Sequence, residues 1–120
     1  MALWVIRIVA ADHPEDPPQF VPQLQPGGPQ GLLAQDGDLV SWTNDTMHVQ
    51  QPWPADADFN PLPANQVLPR GKKGTNYLSD EIPPGHSSRP NWIVVETAGT
   101  VINYCSLPCP LAQGVITITS

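Results

Sequence analysis

Charge is scarce in this chain: 13% of its 120 residues are charged, five of them basic and eleven acidic. A net charge of −6 offers little to a phosphate backbone or an anionic lipid surface, which argues against nucleic acid and membrane surfaces as partners. It is compatible with a basic protein partner and equally with plain solubility. No apolar run approaches the ~18 residues that a membrane span needs. No stretch repeats apolar residues at helical spacing over three turns. The 16 prolines exclude long helices, because proline removes a donor and clashes with the preceding turn. There is no G-x-S-x-G, no glycine-rich phosphate loop and no H-E-x-x-H. Asp36, Asp38 and Asp45 have no evident carboxylate partner for acid–base work. Nothing in the sequence requires substrate turnover, and a protein that is not an enzyme is expected. Met1 leads straight into strand-like residues, without the charged, apolar and cleavage regions of a signal peptide. Either the protein is cytosolic or a signal has been removed, and two cysteines do not settle the compartment.

What is present is apolar and β-branched: 40% of residues are hydrophobic, enough for one domain over residues 1–120 with its own core. Residues 3–9 read as a strand that is apolar on both faces. Phe20 and Val21 suggest a short edge strand inside a Pro-rich stretch. Residues 38–44 alternate as a strand, with Val40 and Trp42 on one face, and Trp42 should anchor the core. Residues 44–50 read as a turn into a short strand, with Asp45 capping the turn through its own backbone. The long irregular segment 51–74 should pack down through Trp53, Phe59, Leu62, Val67 and Leu68. Residues 75–78, 92–96, 100–104 and 115–119 read as further strands. In the last of them Ile116 and Ile118 face inward, and Thr117 and Thr119 face water. Short strands with irregular loops predict an all-β fold, a β-sandwich.

Five side chains are of the kind that holds copper or zinc: His13, His48, His86, Cys105 and Cys109. His48 follows the end of the Trp-Thr-Asn strand, and Cys105 follows the end of the Val-Ile-Asn-Tyr strand. If those strands are neighbours, both residues meet at one pole. The cysteines have three readings: metal binding with His48, a Cys105–Cys109 disulfide, or free and buried small residues. The spacing Cys-x-x-x-Cys is one residue too long for a redox-active C-x-x-C. Met47 reads as core packing or as a thioether ligand. His86 is expected to be exposed; a loop histidine there could supply a second imidazole, more readily than His13.

Residues 37–44 (Gly-Asp-Leu-Val-Ser-Trp-Thr-Asn) with His48, then residues 98–105 (Ala-Gly-Thr-Val-Ile-Asn-Tyr-Cys) and the closing Gly-Val-Ile-Thr-Ile at 114–118, resemble the cupredoxin superfamily. The resemblance covers most of the chain in order. It implies a Greek-key β-sandwich and makes His48 and Cys105 the first two copper ligands. The family pattern continues with a second His and usually a Met, and neither occurs between Cys105 and Gly114. A narrower similarity is to the binuclear copper domain of terminal oxidases and nitrous oxide reductase. Cys105-Ser106-Leu107-Pro108-Cys109 has its thiolate spacing, and Asp45-Thr46-Met47-His48 has its D-x-x-H. Gln113 stands where that family has its second His, and Ile116 where it has its Met. The resemblance therefore implies one or two copper ions held by His48, Cys105 and Cys109, with Gln113 or Met47 as weak additional ligands. It implies one-electron transfer to a redox or copper-exchanging protein partner, in the periplasm or outside the cell. Two other functions remain open: a metal-free binding or assembly module with a Cys105–Cys109 disulfide, and copper delivery or storage.

Overall fold

The computed structural model describes residues 2–13, 15–22, 31–67, 75–88, 91–95 and 98–119. Among the described residues eight strands follow one another: β1 (Leu3–Val9), β2 (Gln19–Pro22), β3 (Leu32–Gln35), β4 (Leu39–Asn44), β5 (Pro52–Pro54), β6 (Trp92–Ile93), β7 (Val101–Ser106) and β8 (Cys109–Thr119). They form two four-stranded sheets, in the orders β2-β1-β4-β6 and β3-β8-β7-β5. β1 runs antiparallel to β2 and parallel to β4, with Leu3 opposite Leu39 and Ile8 opposite Asn44. β3 is parallel to β8, while β7 is antiparallel to β8 and to β5. The chain crosses repeatedly from one sheet to the other, and the result is the expected all-β, Greek-key sandwich.

Alternation along each strand sends every second residue to the interior. Ile6, Ile8, Val40 and Trp42 from one sheet meet Leu32, Ala34, Tyr104, Ile116 and Ile118 from the other, all essentially inaccessible. Trp42 is the expected anchor. Its ring stands edge-on to Tyr104 at 5.6 Å, and Phe20 packs on the other side of Tyr104 at 4.8 Å. β1 differs from the expectation of two apolar faces. Leu3 and Arg7 are exposed while Ile6 and Ile8 are buried, because the outer face of a mixed sheet in a two-layer sandwich meets water.

Other expectations shift at their edges. Residues 75–78 form no strand, yet Leu78 is buried and Trp92 donates its indole N–H to the Thr75 carbonyl at 3.0 Å. Segment 92–96 is a strand only at Trp92–Ile93; Glu96 and the expected packing residue Leu68 lie outside the described residues. Residues 46–48 bend, and the short strand expected there reduces to one bridge between Gln50 and Ile82. β3 and β5 were not anticipated. β5 reads Pro-Trp-Pro, a poor strand sequence because proline cannot donate to a ladder. It is tolerated because β5 lies at a sheet edge. Trp53 is nonetheless buried, with its N–H donated to the Leu62 carbonyl at 2.8 Å, while Phe59, Leu62 and Val67 of the segment after β5 are half-buried.

Candidate metal centre

β4 ends at Asn44, and the Asn44 side chain shapes the turn that carries His48. Its amide nitrogen donates to the carbonyls of His48 and Ile82, each at 2.8 Å. Its oxygen accepts from the Thr46 backbone N–H at 2.9 Å and from the Thr46 hydroxyl at 2.6 Å. The capping expected of Asp45 is therefore done by Asn44. Asp45 instead pairs with Arg7 across the surface at 2.7 Å.

From Thr46 the hydrogen bonds continue inward. Gln50 donates from its amide nitrogen to the Thr46 hydroxyl at 3.1 Å, and its amide oxygen accepts from the Ser106 hydroxyl at 2.6 Å. Asn44, Thr46, Gln50 and Ser106 are all buried. In a low-dielectric interior such a satisfied network is stiff, because breaking any one bond strands a polar group. It ties the His48 turn to Ser106, the residue immediately after Cys105.

β7 and β8 are joined by a two-residue turn at Leu107 and Pro108, so the two cysteines lie on a hairpin. Ser106 pairs with Cys109, but Cys105 pairs with Gln113. Residues 110–112 thus have no register partner on β7 and bulge. Pro110, which has no N–H to give, lies in that bulge, and Leu111 is pushed out into solvent.

The bulge decides which sulfur faces His48. Tyr104 packs inward on Trp42, so the next residue, Cys105, points to the opposite face of its sheet. There it is paired with Trp53 and fully buried. Burial pushes its thiol pKa up, and the Asp56 carboxylate pushes it further in the same direction. Cys109, half-buried, lines a cavity of about 650 Å³ together with His48, Met47 and His13. His48 and His13 are exposed, and Met47 is 88% exposed. Gln113 is exposed as the register partner of Cys105, outside that lining. His86 is exposed, as expected; its backbone carbonyl accepts from the Asn44 N–H at 2.8 Å, but it too is outside the lining. Both cysteines are free thiols. Among the described residues no three His, Cys, Asp or Glu side chains stand close enough together to hold a metal ion.

The donor types around the cavity, imidazole, thiol and thioether, are those that suit copper. They are exposed or half-buried, and they line the cavity without converging on one point. The pair of bridging thiolates does not fit equally well, because Cys105 and Cys109 lie on different faces of the hairpin. The histidine and cysteine types could be found in the sequence. That His13 rather than His86 lines the cavity could not, because it follows from the parallel pairing of β1 with β4.

No protein-family model and no curated protein matches the chain. Solved structures do. A purple cupredoxin from Nitrosopumilus maritimus superposes with a TM-score of 0.62 at 18% identity, over 96% of this chain and 98% of that one. A proline-to-glycine mutant of amicyanin in its reduced Cu(I) form gives a TM-score of 0.52 at 15% identity, over 95% and 79%. A reduced tryptophan-to-tyrosine mutant of amicyanin gives 0.52 at 12% identity, over 95% and 81%. The fold is cupredoxin-like.

Proposed function

We propose that this cupredoxin-like chain binds copper at the pole where the His48 turn meets the Cys109 hairpin, and that it carries single electrons to or from a protein partner. The observation that carries this reading is the shared cavity: His48, Met47 and Cys109 line it together. Bound there, copper would supply a one-electron couple. Cys109 would give the thiolate, His48 the imidazole and Met47 a weak thioether. Cys105 and its register partner Gln113 are the remaining ligand candidates: Cys105 is fully buried, and Gln113 lines an adjoining cavity with His13 and Leu111. The Asn44–Thr46–Gln50–Ser106 network holds the two ligand-bearing segments in one frame, which keeps backbone reorganisation small when charge changes. A partner would dock over the cavity, where Met47 and Leu111 are exposed. Among the described residues no helix is long and apolar enough to cross a membrane, and we place the protein in the periplasm or outside the cell. No substrate turnover is assigned to it.

A second reading, copper delivery, is favoured by one specific observation: Met47 is 88% exposed, and a thioether so open to solvent suits a site that hands its ion over. The metal-free disulfide module is disfavoured by two free thiols.

The test is a titration of the reduced protein with Cu(II), read by visible absorption. Intense thiolate-to-copper absorption at one equivalent is expected, abolished in Cys109→Ser and retained in Cys105→Ser. Thiol titration of the native protein should find Cys109 reactive, and Cys105 only after unfolding. An absent band with no reactive thiol in either state would overturn the copper reading and restore the disulfide.

A further inference from the structure

We propose that the cavity at the His48 pole is a docking surface for one kind of partner: a protein segment with a large apolar side chain flanked by lysine or arginine. The proposal rests on the docking part of the reading above and needs no metal ion in the site. Among the described residues eight large apolar side chains are exposed. Four of them lie on β1, β2, β6 and β7, one to a strand. The other four, Met47, Val49, Leu107 and Leu111, gather on two short segments, the His48 turn and the β7–β8 hairpin. Met47, Val49 and Leu111 line the same cavity of about 650 Å³, a size within the range of about 300–1,000 Å³ found for ligand sites. Apolar residues scattered singly over a surface are normal, but a cluster around a hollow marks an interaction site.

The fold holds these side chains out in water. Leu111 lies in the bulge at residues 110–112 and is 73% exposed. Met47 lies in the turn whose backbone is fixed by the Asn44 and Thr46 side chains, and folding it inward would strand buried polar groups. A surface already set in its bound shape loses little freedom on docking. Charge then selects the occupant. Asp12, Glu15 and Asp16 are exposed on the segment after β1. Glu15 and Asp16 line the cavity, and Asp12 lines an adjoining one together with Asp16 and Leu111. The one lysine or arginine among the described residues, Arg7, is held by Asp45 at 2.7 Å and pairs with none of the three. Carboxylates beside an apolar hollow favour a partner that brings cationic groups around an apolar one. A nucleic acid or an anionic lipid surface is repelled by them, and by the net charge of −6. A second copy of this chain would set acidic rim against acidic rim, because a two-fold contact uses the same patch on both sides.

The experiment is fluorescence anisotropy of dye-labelled synthetic peptides, titrated with the full chain under reducing, copper-free conditions. One peptide alternates lysine with leucine, a second lysine with serine, and a third glutamate with leucine. The lysine–leucine peptide should bind, and the other two at least about tenfold more weakly, because each lacks one of the two attractions. Leu111→Ser should weaken the lysine–leucine peptide about tenfold. Glu15→Gln combined with Asp16→Asn should weaken it about threefold at low salt and hardly at high salt. Leu3→Ser, an equally apolar loss on β1, should leave it unchanged. Every substitution replaces an exposed side chain, so all the variants should fold. Equal binding of the lysine–serine or the glutamate–leucine peptide overturns the proposal, as does no binding at all. Affinity lost in Leu3→Ser and kept in Leu111→Ser overturns it too. Dimers in sedimentation that vanish in Leu111→Ser give the surface to a second copy and overturn the choice of partner. The copper reading fails separately, by an absent thiolate-to-copper band, because these substitutions leave His48, Met47 and Cys109 in place.

Discussion

Gly114→Ala should be among the most damaging single-methyl changes in this protein. Gly114 lies opposite Tyr104 in the β7–β8 ladder. A Cβ built there would stand 2.3 Å from Tyr104 Cζ, 2.4 Å from its hydroxyl and 2.7 Å from Cε1. Ordinary carbon contact begins near 3.4 Å, so the ring would have to retreat by about 1 Å. Two aromatic neighbours restrict that retreat: Tyr104 is 2% exposed, with Phe20 at 4.8 Å and Trp42 at 5.6 Å. The backbone of Gly114 is not in the left-handed region, so alanine suits its conformation. In a strand alanine would otherwise gain about 0.5–1 kcal/mol over glycine. The whole penalty is therefore steric. Overpacking a core costs about 1–3 kcal/mol; three clashing atoms on a buried ring packed against two aromatic neighbours put Gly114→Ala near the top, at about 3 kcal/mol. For a domain of this size that lowers Tm by roughly 10–15 °C. The assay is urea unfolding followed by tryptophan fluorescence, in wild type and in a Tyr104→Leu background, where the shorter side chain leaves room. In that background Gly114→Ala should be neutral or slightly stabilising, a coupling of about 2 kcal/mol or more between the two positions. A cost below about 1 kcal/mol in wild type, or an equal cost in both backgrounds, refutes the reasoning.

Two further outcomes follow from buried polar groups. Asp38 is 4% exposed; desolvation pushes its carboxyl pKa up. The N–H groups of Gln35 and Ala2 and the Trp4 indole, each donating at 2.9 Å, outweigh that and hold it below the ordinary value. A depressed folded pKa means stability that is present above the unfolded pKa of about 3.9 and lost as pH falls through the lower folded value. Asp38→Asn should flatten that acid limb and cost about 2 kcal/mol at neutral pH through the loss of charge-assisted bonds, and an unchanged acid limb in thermal melts across pH would count against it. Ser106→Ala removes the hydroxyl that Gln50 Oε1 accepts from at 2.6 Å and leaves a buried acceptor without a donor, at about 1–3 kcal/mol. Hydrogen exchange should show faster opening of the 45–50 turn, and wild-type protection there would contradict the coupling of turn to hairpin.

Burial can override a side chain's chemistry, and the Tyr104–Cys105 pair shows where. Alternation dictates that the two face opposite ways but not which faces inward. The large Tyr104 ring fills the space between Trp42 and Phe20 that the missing Gly114 side chain leaves open, so the small Cys105 turns outward beneath Trp53. The Tyr104 phenol is itself pushed well up in pKa by burial, and the neighbouring Trp42 indole N–H, without a partner in hydrogen-bond geometry among the described residues, pulls weakly against that.

Local pattern was sufficient for whatever depends on neighbours in the chain. The β-branched runs of β1, β4, β7 and the end of β8, the inward Val40, Trp42, Ile116 and Ile118, and the absence of long helices were all legible from alternation and proline content. So were the residue types able to hold copper. Tertiary structure decided what depends on pairing between distant segments. The parallel register of β1 with β4 brought His13 to the side of His48. The bulge at residues 110–112 put Cys109 at the cavity and Cys105 behind the sheet. An edge position made a strand of Pro-Trp-Pro. Register and facing are set by which set of side chains fills the space between the two sheets best. That is a property of the whole packed core, and no single segment carries it.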